Sequence, residues 1–276
     1  MAEFVPEEVS EFAPIAHRAK VILVSGGPAS PGITSVALHL AVGAAAHGNN
    51  TILADCDPDG GFLTHWLKKR SDKAIDILVR TTNFGEIAPE HVRKACQDIS
   101  LNLRLVAGFE DPGHANDATI AAPKRLIDGL ATECEVLIID GGRLRPSWSG
   151  RFLPLADHVL FVLRPDHMGV LRLTQTWMAD WVRAYAPTNA FAVINGIDLL
   201  LDAPGFRSAL QRDFNLPVAG EIPRADKAFN RALANNQIVE DPAYLNAIAH
   251  LTETLFPSPV LEEMDNGGFL GFLRRK

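Results

Sequence analysis

VILVSGGPASPGITSVALHLA, residues 21–41, reads as a β-branched apolar run, then a Gly/Pro/Ser loop, then a helical apolar pattern. Within it, Gly27-x-x-x-x-Gly32-Ile33-Thr34 has the spacing of a phosphate-binding loop, Gly-x-x-x-x-Gly-Lys-Ser/Thr, with isoleucine where lysine would stand. Such a loop holds an anion on backbone N–H groups and on a helix N-terminus. Its lysine adds the charge that meets the outer phosphates. Gly27, Gly32, Ile33, Thr34 and Ser35 are therefore candidate anion contacts without their usual cation. Pro31 removes one more N–H donor from the cradle.

Working outward, short β-rich runs alternate with longer helical patterns, the signature of βαβ units on a parallel sheet. Strands are predicted at 21–25, 51–54, 101–106, 136–139, 158–163 and 190–194. Their near-continuous hydrophobicity suits strands covered on both faces. Helices are predicted at 34–47, 60–69, 89–97, 123–133, 168–185, 204–214, 225–235 and 242–255. The fold class is α/β, a mostly parallel, doubly wound sheet flanked by helices. One domain is expected over 19–256, preceded by an acidic extension, 1–18, and followed by a linker and tail, 257–276.

The chain of 276 residues carries a net charge of −7, with its cations scattered among acids. That disfavours a phosphate-tracking nucleic-acid surface, which needs clustered Lys and Arg. Cys56, Cys96 and Cys134 are odd in number and lack Cys-x-x-Cys spacing, so neither a disulfide framework nor a zinc site is expected. The dispersed histidines, His114, His158 and His167 among them, show no ligand spacing. The acidic N-terminal segment has no apolar core of a signal peptide, and a cytoplasmic protein is the expectation. Trp177 and Trp181, four apart, are expected to pack in a core or interface.

Ligand chemistry in such a sheet belongs at the carboxyl ends of the strands. Asp55 and Asp57 follow the second predicted strand in Asp-Cys-Asp-Pro-Asp-Gly-Gly, and Asp140 closes the fourth. Carboxylates there can hold magnesium or orient a water. Equally, Asp55 and Asp57 can cap the next helix and form an Asx turn before Pro58. Arg143 and Arg145 follow Asp140 and are either a substitute phosphate cation or solvated loop arginines.

These segments together resemble the ParA/MinD family of deviant Walker ATPases, and within it the MinD-like proteins of pilus assembly and septum placement (CpaE/TadZ type), over residues 19–256. ILADCDPDGG is similar to the family's Asp-x-Asp-Pro switch motif, VLIIDGG to its Walker B strand, and ADHVLFVLRPDHMGVLRL to the strand-Pro-helix segment that follows. AVINGID resembles the strand ending in a base-proximal Asn, and GEIPRADKAFNRALANNQIV the adenine loop. The resemblance implies ATP and Mg²⁺ as cofactors, with Thr34, Asp57 and Asp140 at the metal, Asp57 also in water activation, and Asn195 and Pro223 on the base side. It also implies two loop lysines, at positions that here hold Ile33 and Pro28. A degenerate Walker A loop, and with it a pseudo-ATPase, is the expectation. A homodimer with opposed loop faces and a protein partner from a localisation, secretion, pilus or division system are implied as well.

The C-terminal stretch Gly267-Gly268-Phe269-Leu270-Gly271-Phe272-Leu273-Arg274-Arg275-Lys276 is the other distinctive feature. At helical spacing Phe269, Leu270, Phe272 and Leu273 share a face edged by Arg274, Arg275 and Lys276, as in a small interfacial anchor for an anionic membrane. The alternative is a terminal turn packed on protein. Three functions stay open on the sequence: a positioning or scaffold factor with weak or no ATP hydrolysis, an active MinD-like ATPase using substitute arginines or a partner, and a DNA-partitioning ParA-type protein. A nitrogenase-reductase-like redox role lacks the cysteine its cluster would need after the Walker B strand.

Overall fold

The computed structural model describes residues 19–28, 31–59, 61–69, 72, 74–115, 118–179, 182, 189–199 and 202–257. The acidic extension 1–18, Trp181 and the tail residues 269–276 lie outside them. The described residues form one eight-stranded sheet in the order β3-β4-β2-β5-β1-β6-β7-β8. The strands are β1 (Lys20–Gly26), β2 (Thr51–Asp55), β3 (Gln97–Ser100), β4 (Leu103–Val106), β5 (Val136–Arg143), β6 (His158–Leu163), β7 (Ala190–Asn195) and β8 (Val218–Ile222). All pairings are parallel except β3 with β4. The doubly wound α/β expectation holds. Beginning at central β1, the chain builds one side of the sheet and then the other, so the loop after β1 emerges where the winding reverses, the usual ligand crevice of such sheets.

Alternation along the strands feeds two cores. Val21 and Leu23 belong to one apolar layer, Ile22 and Val24 to the other. On the first face lie α3 (Ile75–Phe84), α4 (Pro89–Ala95), α5 (Ala122–Leu130), α6 (His167–Trp177) and α7 (Ala203–Phe214). On the second lie α1 (Ile33–Ala46), α2 (Phe62–Trp66), α8 (Asp226–Asn235) and α9 (Pro242–Leu255). Trp177 packs edge-on against Phe161, its ring 5.3 Å away, as a core tryptophan.

Four elements differ from the sequence expectation. Leu101 and Asn102 are the turn of a β3–β4 hairpin, not the start of a strand; Leu101 is 76% exposed and Asn102 is left-handed, φ 62°. Residues 97–100, assigned in part to a helix, are β3. Helix α3 was hidden by its β-branched composition, although its buried residues Ile75, Leu78, Val79 and Thr82 follow helical spacing. Strand β8 is short and at the sheet edge, flanked by Pro217 and Pro223 and mostly half-buried, so it lacks the continuous apolar run of a central strand. The long helix expected at 168–185 is α6, ending at Trp177.

Helix α1, which carries the loop, is buried almost throughout, because α9 crosses it where Gly43 stands. A Cβ on Gly43 would lie 2.3 Å from the Thr252 hydroxyl. One turn earlier, His39 is fully buried among Trp66, Phe229 and Tyr244, with ring centroids 5.0 to 6.0 Å away. Val239 N–H donates to its Nε2 at 3.1 Å, which places the ring proton on Nδ1, donating to Ser35 O at 2.7 Å. One neutral imidazole thus ties α1 to the segments before and within α9. Burial pulls its pKa down to about 4, against the opposing pull of the Ser35 carbonyl.

The sign follows from linkage: with a folded pKa below the unfolded 6.5, His39 favours the fold above pH 6.5, and the benefit is lost as pH falls towards 4. Unfolding titrations of wild type and His39→Gln over this range should diverge accordingly. The wild type's advantage should shrink by on the order of 3 kcal/mol between pH 7 and 4. A pH-independent difference would show that His39 does not titrate on unfolding.

Candidate functional site

The loop leaves β1 under tight steric control. At Gly26 a Cβ would lie 2.5 Å from Val162 O, and the Ile33 side chain folds back over the same glycine, with atoms 3.1 and 3.2 Å from that position. Ile33 is 7% exposed and belongs to the α1-side core. The residue at the lysine position is therefore a core side chain that also borders the cleft. Gly32, at φ 93°, is the N-cap of α1. A Cβ there would meet Asn195 Nδ2 at 2.2 Å, so only glycine permits the approach. Asn195 Nδ2 uses that approach to donate to Pro31 O at 2.7 Å. Among the described residues no side chain caps α1, and its first turn has no acid, leaving backbone N–H groups to face an anion.

Opposite the loop stand the acids. Asp55, the last residue of β2, and Asp140, within β5, are register partners, 1% and 0% exposed. Asp140 Oδ1 accepts Gly142 N–H at 3.1 Å, while Oδ2 is buried with no hydrogen-bond partner among the described residues. Burial pushes the Asp140 carboxyl up to about 7; the charge of Asp57 adds to this, while the Thr34 hydroxyl beside it and Gly142 N–H oppose it. Burial also raises Asp55 well above the carboxylate range, reinforced by Asp140 and Asp57. Asp57 is raised by burial too, with Arg145 and Arg143 pulling the other way.

Asp57 is fixed by the turn it makes. Its Oδ1 accepts Asp59 N–H at 2.9 Å, and Asp55 Oδ2 accepts Leu63 N–H in the first turn of α2 at 3.4 Å. The Asx-turn and capping roles weighed on the sequence are thus real and coexist with the site position. Gly142, at φ 56°, brings β5 against Asp57, since a Cβ would lie 2.3 to 2.6 Å from the Asp57 carboxyl group. Ser25 Oγ donates to Gly142 O at 2.6 Å. Cys56 is held at both ends, its N–H on Asp140 O and its O on Trp148 Nε1–H, each at 2.8 Å.

Gly27, Pro28, Gly32, Ile33, Thr34, Ser35, Asp57, Asp59, Phe62, Gly142 and Arg143 surround a cleft of about 580 Å³. A second cavity of about 190 Å³ adjoins it at Gly32 and Ser35 and is bounded by Asn195, Gly196, Arg224 and Phe229. The structure thus gathers Gly27, Gly32, Ile33, Thr34, Ser35, Asp57 and Asp140 at one end and Asn195 at the other. Pro223 ends β8 nearby, but the wall of the second cavity runs through Arg224, Ala225 and Asp226 instead. Arg143 and Arg145, weighed as solvated loop arginines, both pair with Asp59. Sequence reasoning missed Asp59 and Phe62 as cleft residues; the Asp-Pro-Asp spacing carried a signal for the first and nothing marked the second.

The donor set fits magnesium. A hard cation suits a hydroxyl, a carboxylate with a bare buried oxygen, and like-charged neighbours that its charge would relieve. Among the described residues no three His, Cys, Asp or Glu side chains form a metal cage by themselves. Magnesium at Thr34 and Asp140 would accordingly be completed by phosphate oxygens and water, its usual preference.

No protein-family model matches the sequence, and no curated protein does. Solved structures do. A ParA family ATPase from Chlorobium tepidum TLS matches with a TM-score of 0.73 at 15% identity, over 86% of this chain and 99% of that one. The septum site-determining protein MinD from Pyrococcus horikoshii OT3, complexed with Mg-ADP, matches at 0.69 and 16%, over 86% and 96%. A chain of the MinC:MinD cell division complex from Aquifex aeolicus matches at 0.66 and 15%, over 89% and 99%. At these identities what is shared is the fold: the chain has the MinD/ParA architecture.

A carboxyl whose folded pKa lies above its unfolded value weakens the fold progressively as pH rises through that interval, from about 4 to about 7 for Asp140. Asp140→Asn should therefore be more stable than wild type at pH 8 in urea unfolding without ligand, and the gain should disappear by pH 4. A variant equally destabilised at both pH values would show that Asp140 carries no burial cost.

Proposed function

We propose that this chain is a MinD/ParA-like positioning or scaffold protein that binds ATP with Mg²⁺ weakly and hydrolyses it slowly or not at all. The observation that carries the proposal is a combination: the glycine-shaped loop, Thr34 beside a bare Asp140 oxygen, and Asp57 against Gly142, with the packed side chain of Ile33 where a cation would reach the phosphates. Binding can survive that change. A charge-assisted contact to phosphate contributes about 1.5 to 3 kcal/mol, one or two orders of magnitude in affinity. Turnover is more exposed, because a cation on the transferring phosphoryl group can supply on the order of a thousandfold in rate.

The other parts of the proposal come with the fold. Proteins of this architecture include an Mg-ADP complex and a MinC:MinD complex, which supports nucleotide at the loop and a protein partner for this chain. A homodimer with opposed loop faces is proposed on the same ground. Among the described residues no helix is long and apolar enough to cross a membrane. Residues 269–276 are proposed as an interfacial anchor that places the protein at an anionic surface through four apolar side chains and three cations.

Calorimetry of the full chain should give Mg-ATP dissociation constants between micromolar and millimolar, and phosphate release should stay near background. Rapid turnover abolished by Asp57→Ala would overturn the pseudo-ATPase assignment in favour of an active enzyme. The anchor is tested separately by co-sedimentation with vesicles containing anionic lipid. Phe272→Glu should abolish binding and salt should weaken it in part, because only the cations act through a screened field. Equal vesicle binding by a chain ending at residue 266 would sink the anchor.

A further inference from the structure

Arg143 is the last residue of β5, and its register partner is Gly26, at the root of the loop. Leu144 N–H donates to Gly26 O at 2.9 Å, so the arginine and the loop start from one fixed junction. Ser149, fully buried, holds the next turn: its hydroxyl donates to Arg143 O at 2.7 Å and accepts Arg145 N–H at 2.9 Å. Arg143 is the one cationic side chain among the described residues that line the larger cleft, which Gly32, Thr34 and Asp57 line as well.

Both arginines converge on a single carboxylate. Arg145 Nη2 pairs with Asp59 Oδ1, and Arg143 Nε lies 3.6 Å from Asp59 Oδ2. The guanidinium group takes phosphate as readily as carboxylate, so the place where both arginines draw an anion suits a phosphate too. Asp59 is half exposed, and an ion pair that wet is held weakly. A polyphosphate of higher charge in the same cleft would compete well for it.

We propose that Arg143, which shares Asp59 with Arg145, is the phosphate-binding cation that the loop itself lacks, and that Asp59 occupies it in the resting protein as an internal substitute for phosphate. The inference rests on the nucleotide-binding function proposed above and names its regulating residues. Entry of the β/γ-phosphates moves Arg143 from Asp59 to the ligand. Asp59, then held by Arg145 alone, is on the same turn as Asp57, so occupancy of the cleft is coupled to the charge on that turn.

The test is calorimetric titration of the full chain with Mg-ATP and, separately, with adenosine. Arg143→Ala should weaken Mg-ATP about tenfold or more and leave adenosine unchanged, since only the phosphates meet the arginine. Arg143→Lys should recover part of the loss. Asp59→Asn should tighten Mg-ATP several-fold, and that gain should vanish in the Arg143→Ala background. The Asp59→Asn arm stands even if Arg143→Ala folds poorly. Unchanged Mg-ATP binding by Arg143→Ala, or weaker binding by Asp59→Asn, overturns the inference while leaving nucleotide binding intact. Wild-type protein that binds neither ligand overturns the nucleotide-binding function and the inference with it.

Discussion

Carboxylates that cannot all be ionised in comfort are the constraint around which this protein is arranged. Asp55 ends β2 beside Asp140 in β5, both inside the protein, and Asp57 follows two residues after Asp55. A like-charged group in a dry setting drives its neighbours towards the protonated state. In a phosphate-binding protein a loop lysine and a metal ordinarily answer that charge. Here the lysine position is apolar, and the arginines that could answer it stand at and just beyond the end of β5. The unusual loop and the unusual arginine pair are two sides of one electrostatic problem.

Neutrality is enforced elsewhere by packing. His39 sits behind the loop, on the helix whose N-terminus faces the cleft. Its acceptor Nε2 supplies the partner of Val239 N–H, and its donor Nδ1 adds a bond to the Ser35 carbonyl. The surrounding rings of Trp66, Phe229 and Tyr244 belong to α2, α8 and α9. The helix that follows the Asp57 turn and the helix that borders the second cavity therefore meet on one side chain. Replacing a histidine in such a place changes hydrogen bonding and packing together.

Much of this was legible in the residues. The spacing of Gly27, Gly32 and Thr34, and the acids at the ends of apolar runs, identified both the sheet type and the end of it that carries the site. Asn195 was also readable, though its structural contact, the carbonyl of Pro31, was not, because a hydrogen bond between residues 164 positions apart leaves no local pattern. Edge strand β8 and helix α3 escaped for opposite reasons: one is too little buried to show an apolar run, the other too rich in β-branched residues to look helical. The role of Asp59 needed coordinates, since it depends on two arginines more than 80 positions away. Ile33 shows the limit most plainly: its type marks a missing charge, but only packing against Gly26 shows that the side chain has become part of the core.

The clamp on Cys56 has a consequence for where the protein can hinge. Both backbone groups of this residue are engaged, one on the neighbouring strand and one on a buried indole, and Trp148 is itself wedged between Phe109 and Phe152. Displacing Cys56 would break two buried hydrogen bonds and open a stack of aromatic rings. Any rearrangement in response to cleft contents therefore begins at Asp57, and Pro58, with its fixed φ, restricts how the chain can swing. Beyond that clamp the fold regains its hold at α2, where Leu63 and Trp66 are buried, while Phe62 stands half exposed at the cleft.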